Sequence, residues 1–352
     1  MVASTLFAHA AIVVSAKGDR QIAMKPCSDT SSRQTSLRKS VVVRGRGVHG
    51  DAPARLTLSP AEAGTGVVFV TRDGDNPIAA HWTNVRSTRL RTEIGSGAAR
   101  VSTVEHLMAA FAGLGVDNAL VEIDESEVPA VDGSALPFVA AIRDAGIARL
   151  RAARRVIKIV ETVRVSDGAG WAEFAPTNRR CLDLDVEIAF PGAIGRQRIA
   201  LPLAPSIFAR EIASARSFGF LRDAEQLWRQ GLALGASLEN SVIFDGDRVL
   251  NPRGLRFPDE MARHKMLDVI GDLALAGAAI HGAFRSYRGG HGLNLALIER
   301  LMTTPSAYVL SKEAEGSAPR VRRRETEATG LGSTGLGSTG LGSTGLRLGL
   351  SP

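Results

Sequence analysis

The chain of 352 residues contains only two cysteines, Cys27 and Cys181. Two cysteines do not make a disulfide framework, and a cysteine-rich metal site is excluded. No apolar run approaches the roughly 20 residues that a membrane-spanning helix requires. The stretch FAHAAIVV is short and has no basic residue before it, so it makes a poor secretory signal. An unstructured extension is the plain reading of this end. Its Ser- and Arg-containing, acid-poor composition leaves an organelle transit segment as the alternative, and Met24 offers a second possible start. The GRG and GGHG runs lack the spacing of a dinucleotide fingerprint or a phosphate loop.

Nucleic-acid binding also lacks support. The net charge is +7, but residues 1–40 hold six Lys/Arg against two Asp, and residues 319–352 hold five Arg against two Glu. The two ends carry the whole excess, and residues 41–318 are neutral. No alternation of basic and aromatic residues accompanies it. What remains is ordinary globular composition, 44% apolar and 22% charged, enough to build sizeable cores.

From about Ser40, the runs VVVRGRGVHG, ARLTLSPA and GVVFV read as strands and turns broken by Gly and Pro. Ser102 and Glu105 form an S-x-x-E capping-box pattern that predicts a helix ended by Gly113 and Gly115. NALVEID predicts a strand, and DGSALPFVAAIRDAGI a turn and a second helix. Beyond Arg155, strands return in VIKIVETVRV, WAEFAP and the alternating LDLDVEIAF. FLRDAEQLWRQGLALG predicts a short helix. PDEMARHKMLDVIGDLALAG predicts a long one, with Pro258 in its first turn and Gly277 near its end. The two halves share a plan of strands, helix, strand and helix, with a boundary near 150–155. An α+β protein of two similar domains is the expected class. Residues 330–344 are three copies of Gly-Leu-Gly-Ser-Thr, too short a period for solenoid units and a composition that favours flexible coil.

The chemistry-bearing residues lie in two distant segments. Glu105 and His106 are adjacent in STVEHLMAA, and His264 and Asp268 are four apart in RHKMLDVIGD. Residues four apart on a helix are separated by about 40° around the axis and one turn along it, so both side chains can reach one ion. Two imidazoles and a carboxylate with a fourth position open are what a catalytic zinc needs, and a further carboxylate beside a ligand is a place for a general base. Each signal also has an ordinary reading. His264 and Asp268 could be a surface i,i+4 pair. Glu105 could be the capping-box acid, and His106 a satisfied core histidine beside Val104, Leu107, Met108 and Phe111. His291 in RGGHGLN and His49 in GRGVHG could be turn residues, and Lys265 a solvated helix residue.

Taken together and in order, GRGVHGDAPARLTLSPA, STVEHLMAAFAGLGVDNALVEID, VPAVDGSALPFV, ASARSFGF, LENSVIFD, LNPRGLRFPDEMARHKMLDVIGDLALAG and GGHGLNLALI are similar to the UDP-3-O-acyl-N-acetylglucosamine deacetylases, zinc amidases of the lipid A pathway. The resemblance runs from about Ser36 to Thr304. It implies two β-α-α-β domains, each a sheet packed on helices, with the site at their interface. The implied organisation is a disordered extension at 1–35, a first α+β domain at 36–152, a second at 153–312 with an acyl-chain-binding insert, and a disordered tail at 313–352.

By motif position, the resemblance makes His106, His264 and Asp268 the ligands of one Zn2+ per chain. Glu105 would be the general base. His291 would be the acid or the electrostatic partner, its ring held by Asp272. Lys265 and His49 would contact the nucleotide sugar, and Phe218 and Phe220 would shape the sugar and acyl site. Ser217 stands where the family usually has Thr, and its hydroxyl would donate to the oxyanion. Arg91 replaces a small residue or Cys of many relatives, and so would alter access to the site or its metal affinity.

The implied reaction is hydrolysis of the N-acetyl group of UDP-3-O-(3-hydroxyacyl)-N-acetylglucosamine to acetate and the free 2-amino sugar nucleotide, the committed step of lipid A biosynthesis. A cytoplasmic monomer that touches the membrane surface only transiently is expected. Two other readings compete: a non-catalytic binder of nucleotide sugars or lipids, and a metallohydrolase of this fold acting on another acylated amine. A binder that had lost catalysis would lack a ligand or the base, and all four residues are present.

Overall fold

The computed structural model describes residues 31–72 and 76–313. The expectations for the first 30 residues and for the repetitive tail lie outside the described residues. Regular structure begins earlier than the extension expected at 1–35 allows. Arg33–Leu37 is a strand, antiparallel to Ile147–Ala153. Thr35 is buried and tied across the chain: its N–H donates to Asp117 and its hydroxyl to the Gly115 carbonyl.

Two main sheets organise the mixed α+β fold. Five strands pair in the order Val41–Arg46, Pro53–Ser59, Ala119–Ile123, Val67–Thr71, Ile78–Ala79. Seven strands form the other. Along it run Val163–Asp167, Gly170–Ala175, Ala279–Tyr287, Arg155–Ile159 and Tyr308–Lys312, while Leu182–Ala189 joins Ala279–Tyr287 and carries Arg196–Pro202. Alternation explains the register. Leu182, Leu184, Val186 and Ile188 point into the core, while Asp185 and Glu187 on the other face meet Arg198 and Arg196 of the neighbouring strand.

Among the described residues, six α-helices accompany these sheets: α1 (Glu105–Leu114), α2 (Leu136–Ala145), the single turn α3 (Pro205–Ile207), α4 (Leu221–Arg229), α5 (Glu260–Ala274) and α6 (His291–Met302). α1 stops at Gly115, whose left-handed backbone returns its N–H to the carbonyls of Phe111 and Ala112. α5 starts at Glu260, two residues after Pro258, so Pro258 lies outside its first turn and Asp259 is the residue before the helix. α4 is shorter than FLRDAEQLWRQGLALG suggested, because Gly231 takes φ +68 soon after its end.

α1 and α5 pack side by side through surfaces that are buried almost all round. Helices this enclosed normally present only apolar side chains. Here they also bury Glu105, His106, His264, Asp268 and Asp272. Charged groups in such a position need partners. Those partners define the site.

Candidate metal centre

The capping box read in the sequence does not form. α1 begins at Glu105 itself with no side-chain cap, because Thr103 has φ +59 and Ser102 still belongs to the preceding strand. A left-handed β-branched residue is strained. Its hydroxyl donates to Glu127 at 3.0 Å, a carboxylate that also accepts the N–H groups of His49 and Gly50. The Glu105 carboxylate is thereby left for the interior. Its Oε2 accepts the Thr92 N–H at 3.1 Å, and its Oε1 lies 3.9 Å from His291 Nε2.

His106 of α1 meets His264 and Asp268 of α5. Asp268 Oδ1 is 3.4 Å from His264 Nε2 and 3.7 Å from His106 Nε2, and donor atoms of all three lie within 4.8 Å of one another. Ligand bonds of about 2.0–2.2 Å in a tetrahedral site place donor pairs roughly 3.3–3.6 Å apart, so the set fits a shared divalent cation. The tautomer fits as well. His264 Nδ1 faces the Ala215 carbonyl at 3.2 Å, which can only accept, so Nδ1 carries the proton and Nε2 keeps its lone pair for the site. Burial lowers the His264 pKa to about 4, further favouring the neutral ring that ligates. Burial alone would raise Asp268, but Lys265 and His264 hold its carboxyl well below the ordinary range.

A second cluster adjoins this one. His291, the first residue of α6, donates from Nδ1 to Asp272 Oδ2 at 2.8 Å. Burial works to lower its pKa, but the Asp272 charge and hydrogen bond, aided by Glu105 and Asp268, raise it to about 9. Glu105 moves the other way from an ordinary acid. Burial raises its pKa, opposed by His291 and His106. A buried acceptor made more basic thus faces an imidazolium, an arrangement suited to moving one proton in and another out.

Of the other expected site residues, Lys265 and Phe218 touch this centre. Lys265 Nζ donates to Asp268 Oδ2 at 2.8 Å and lies over the Phe218 ring. Phe218 also sets its edge against His264. Phe220 packs instead on Phe190 and Phe244. Ser217 is held by its backbone, donating to the Gly133 carbonyl and accepting from Val242, and its hydroxyl has no hydrogen bond among the described residues. His49 is joined to the segment after α4: its Nδ1 accepts from Ala233 and its carbonyl from Leu234. Burial and the nearby Arg91 charge lower the His49 pKa to about 4. Arg91 itself approaches Glu93 at 3.9 Å.

Sequence reasoning missed three contributors: Thr92, whose N–H meets Glu105; Asn294, whose amide donates to Asp272; and Glu127, which ties the His49 loop to Thr103. Only Asn294 left a trace, three residues after His291 and so on the same face of a helix.

The UDP-3-O-acyl N-acetylglycosamine deacetylase family profile matches residues 34–303. Proteins named UDP-3-O-acyl-N-acetylglucosamine deacetylase from Brucella ovis, Brucella canis and Brucella suis are each 45% identical over 278 residues, which is 78% of this chain and 97% of theirs. The matched span contains both segments that build the centre, and the chain belongs to the UDP-3-O-acyl N-acetylglycosamine deacetylase family.

Proposed function

We propose that this protein is a zinc-dependent deacetylase that removes the N-acetyl group of UDP-3-O-(3-hydroxyacyl)-N-acetylglucosamine, the committed step of lipid A biosynthesis. One observation carries the reading: two buried imidazoles and a buried carboxylate share a 4.8 Å cluster directly beside Glu105. His106, His264 and Asp268 would hold one Zn2+, a nitrogen and oxygen donor set that suits it. Bound there, the ion supplies Lewis acidity toward the amide carbonyl and lowers the pKa of water.

The chain's own residues do the rest. Glu105, basic for a carboxylate because it is buried, takes the proton of the attacking water. The Ser217 hydroxyl, with no partner among the described residues, donates to the oxygen that gains charge. His291, protonated at neutral pH and oriented by Asp272, either stabilises that charge or passes its Nε2 proton to the departing amine. Acetate and a free 2-amino sugar nucleotide result. Lys265 and His49 bind the nucleotide sugar, and Phe218 and Phe220 shape the sugar and acyl site.

The acyl chain lies against α4 and the segment after it, where Leu221, Trp228, Leu234 and Leu238 are exposed. Apolar residues gathered on one exposed stretch mark an interaction surface. We further propose a division near residue 152 into two α+β domains, the first opening with the Arg33–Leu37 strand and the second reaching 312, each a sheet packed on helices, and a cytoplasmic monomer that meets the membrane transiently and binds no nucleic acid. No helix of the described residues is long and apolar enough to cross a membrane.

Product analysis tests the reaction. Purified protein should release acetate from the acylated UDP-sugar, lose that activity to a chelator, and regain it with zinc. Zinc binding without acetate release would point to a different acylated amine as substrate, and neither result to a non-catalytic binder.

A further inference from the structure

The small sheet that precedes α1 contains Glu93–Ser96 and Ala99–Ser102, paired so that Glu93 lies opposite Ser102. Thr92 therefore stands at the entrance of this hairpin while Glu105 stands just beyond its exit, and the Val104 N–H donates to the Thr92 carbonyl. Thr92 is 2% exposed. Its N–H donates to Glu105 Oε2 at 3.1 Å, 13 residues on, and its Oγ1 lies 2.6 Å from Asp272 Oδ1, 180 residues on. An ionised carboxylate only accepts, so the hydroxyl is the donor, and a bond this short is of the charge-assisted kind.

Asp272 is held at its other oxygen too. Oδ2 accepts His291 Nδ1 and Asn294 Nδ2, each at 2.8 Å. Its plane is thus pinned from three sides, and of these three donors only Thr92 also gives Glu105 a hydrogen bond. We propose that Thr92 is a positioning residue that locks the Glu105 carboxylate and the Asp272–His291 pair into one rigid frame, its backbone serving the base and its hydroxyl serving the acid. This rests on the deacetylase reading above and extends it to a residue outside the chemistry. Partners of this outer kind are worth about 10–100-fold in activity elsewhere.

Three charged groups face His291: Asp272 and Asp268 from α5, and Glu105 from α1. Thr92→Val keeps the branched shape and removes the donor, while Thr92→Ser keeps the donor. In the full-length, zinc-loaded protein, Thr92→Val should lower kcat about 10–100-fold with KM within about 2-fold. The alkaline limit of its pH profile should shift, because the carboxylate that holds the His291 proton loses one of its donors. Thr92→Ser should restore kcat to within about 3-fold and return that limit. An NMR titration of the His291 ring in the same proteins reads the frame without turnover, so it remains decisive even if no acetate is released. An unchanged His291 titration in Thr92→Val overturns the proposal, as does a Thr92→Ser protein as impaired as Thr92→Val.

Discussion

Gly271 of α5 lies against the backbone of Glu105 in α1, so closely that a Cβ at 271 would sit 2.0 Å from the Glu105 carbonyl oxygen and 2.7 Å from its carbonyl carbon. The obstacle is backbone and cannot rotate away. The two helices carrying the metal donors therefore touch through a residue without a side chain, and their separation is set there.

Gly271→Ala should for this reason harm both stability and catalysis. Overpacking costs about 1–3 kcal/mol, more than the roughly 1 kcal/mol that Ala gains over Gly within a helix. Misplacing catalytic groups by about 1 Å can cost on the order of 10²-fold in rate. Urea unfolding together with kcat would check this, and a variant more stable than the parent would show that the helices part easily.

Glu105→Gln should separate base from metal. Glu105 lies outside the set formed by His106, His264 and Asp268, so metal content should be unchanged while kcat falls about 10²–10⁴-fold. Metal analysis alongside acetate release tests this. Loss of metal in the variant would instead make Glu105 a ligand.

His291 should set the alkaline limit. Its pKa is raised to about 9 in the folded protein, above the ordinary value of 6.5. The stabilisation it provides is then fully present below pH 6.5 and is lost as pH rises through about 9. Activity that needs the protonated ring should fall over the same upper range. Asp272→Asn removes the partner charge and should bring both declines to lower pH. A pH series of melting temperature and kcat would check it, and identical curves for the two proteins would rule out this coupling.

Arg216 should matter more than its distance from the reaction suggests. Its Nε and Nη2 donate to the two oxygens of Glu260, and both side chains are buried. The pair anchors the segment that presents the Ala215 carbonyl to His264 and carries Ser217 and Phe218. Removing one partner of a buried pair costs about 3–5 kcal/mol. Arg216→Ala should lose stability on that scale, measured by denaturant unfolding. A loss below about 1 kcal/mol would mean the pair is worth no more than a surface one.

Much of the site was legible because some of its geometry is local. His264 and Asp268 are four apart on one helix, a separation that tertiary packing does not alter. Glu105 was ambiguous because a capping box and a buried base share the same letters. The left-handed Thr103 backbone decided between them, and no pattern in STVEH announces it. Thr92 could not be found at all, since its link to Glu105 is an amide N–H that every residue but proline possesses. Likewise the tautomer of His264 depends on the carbonyl of Ala215, whose side chain says nothing.

The amino-acid sequence by itself determined which chemistry was available: the imidazoles of His106, His264 and His291, the carboxylates of Glu105, Asp268 and Asp272, and the helical spacing that lets some of them act together. Tertiary structure alone decided that His106 shares a centre with His264 and Asp268, and that Asp272 serves His291. Side-chain type and helix period are properties of a short stretch of chain. Convergence across more than 150 residues is a property of how α1, α5 and α6 pack, and that packing turns on contacts such as Gly271 against Glu105.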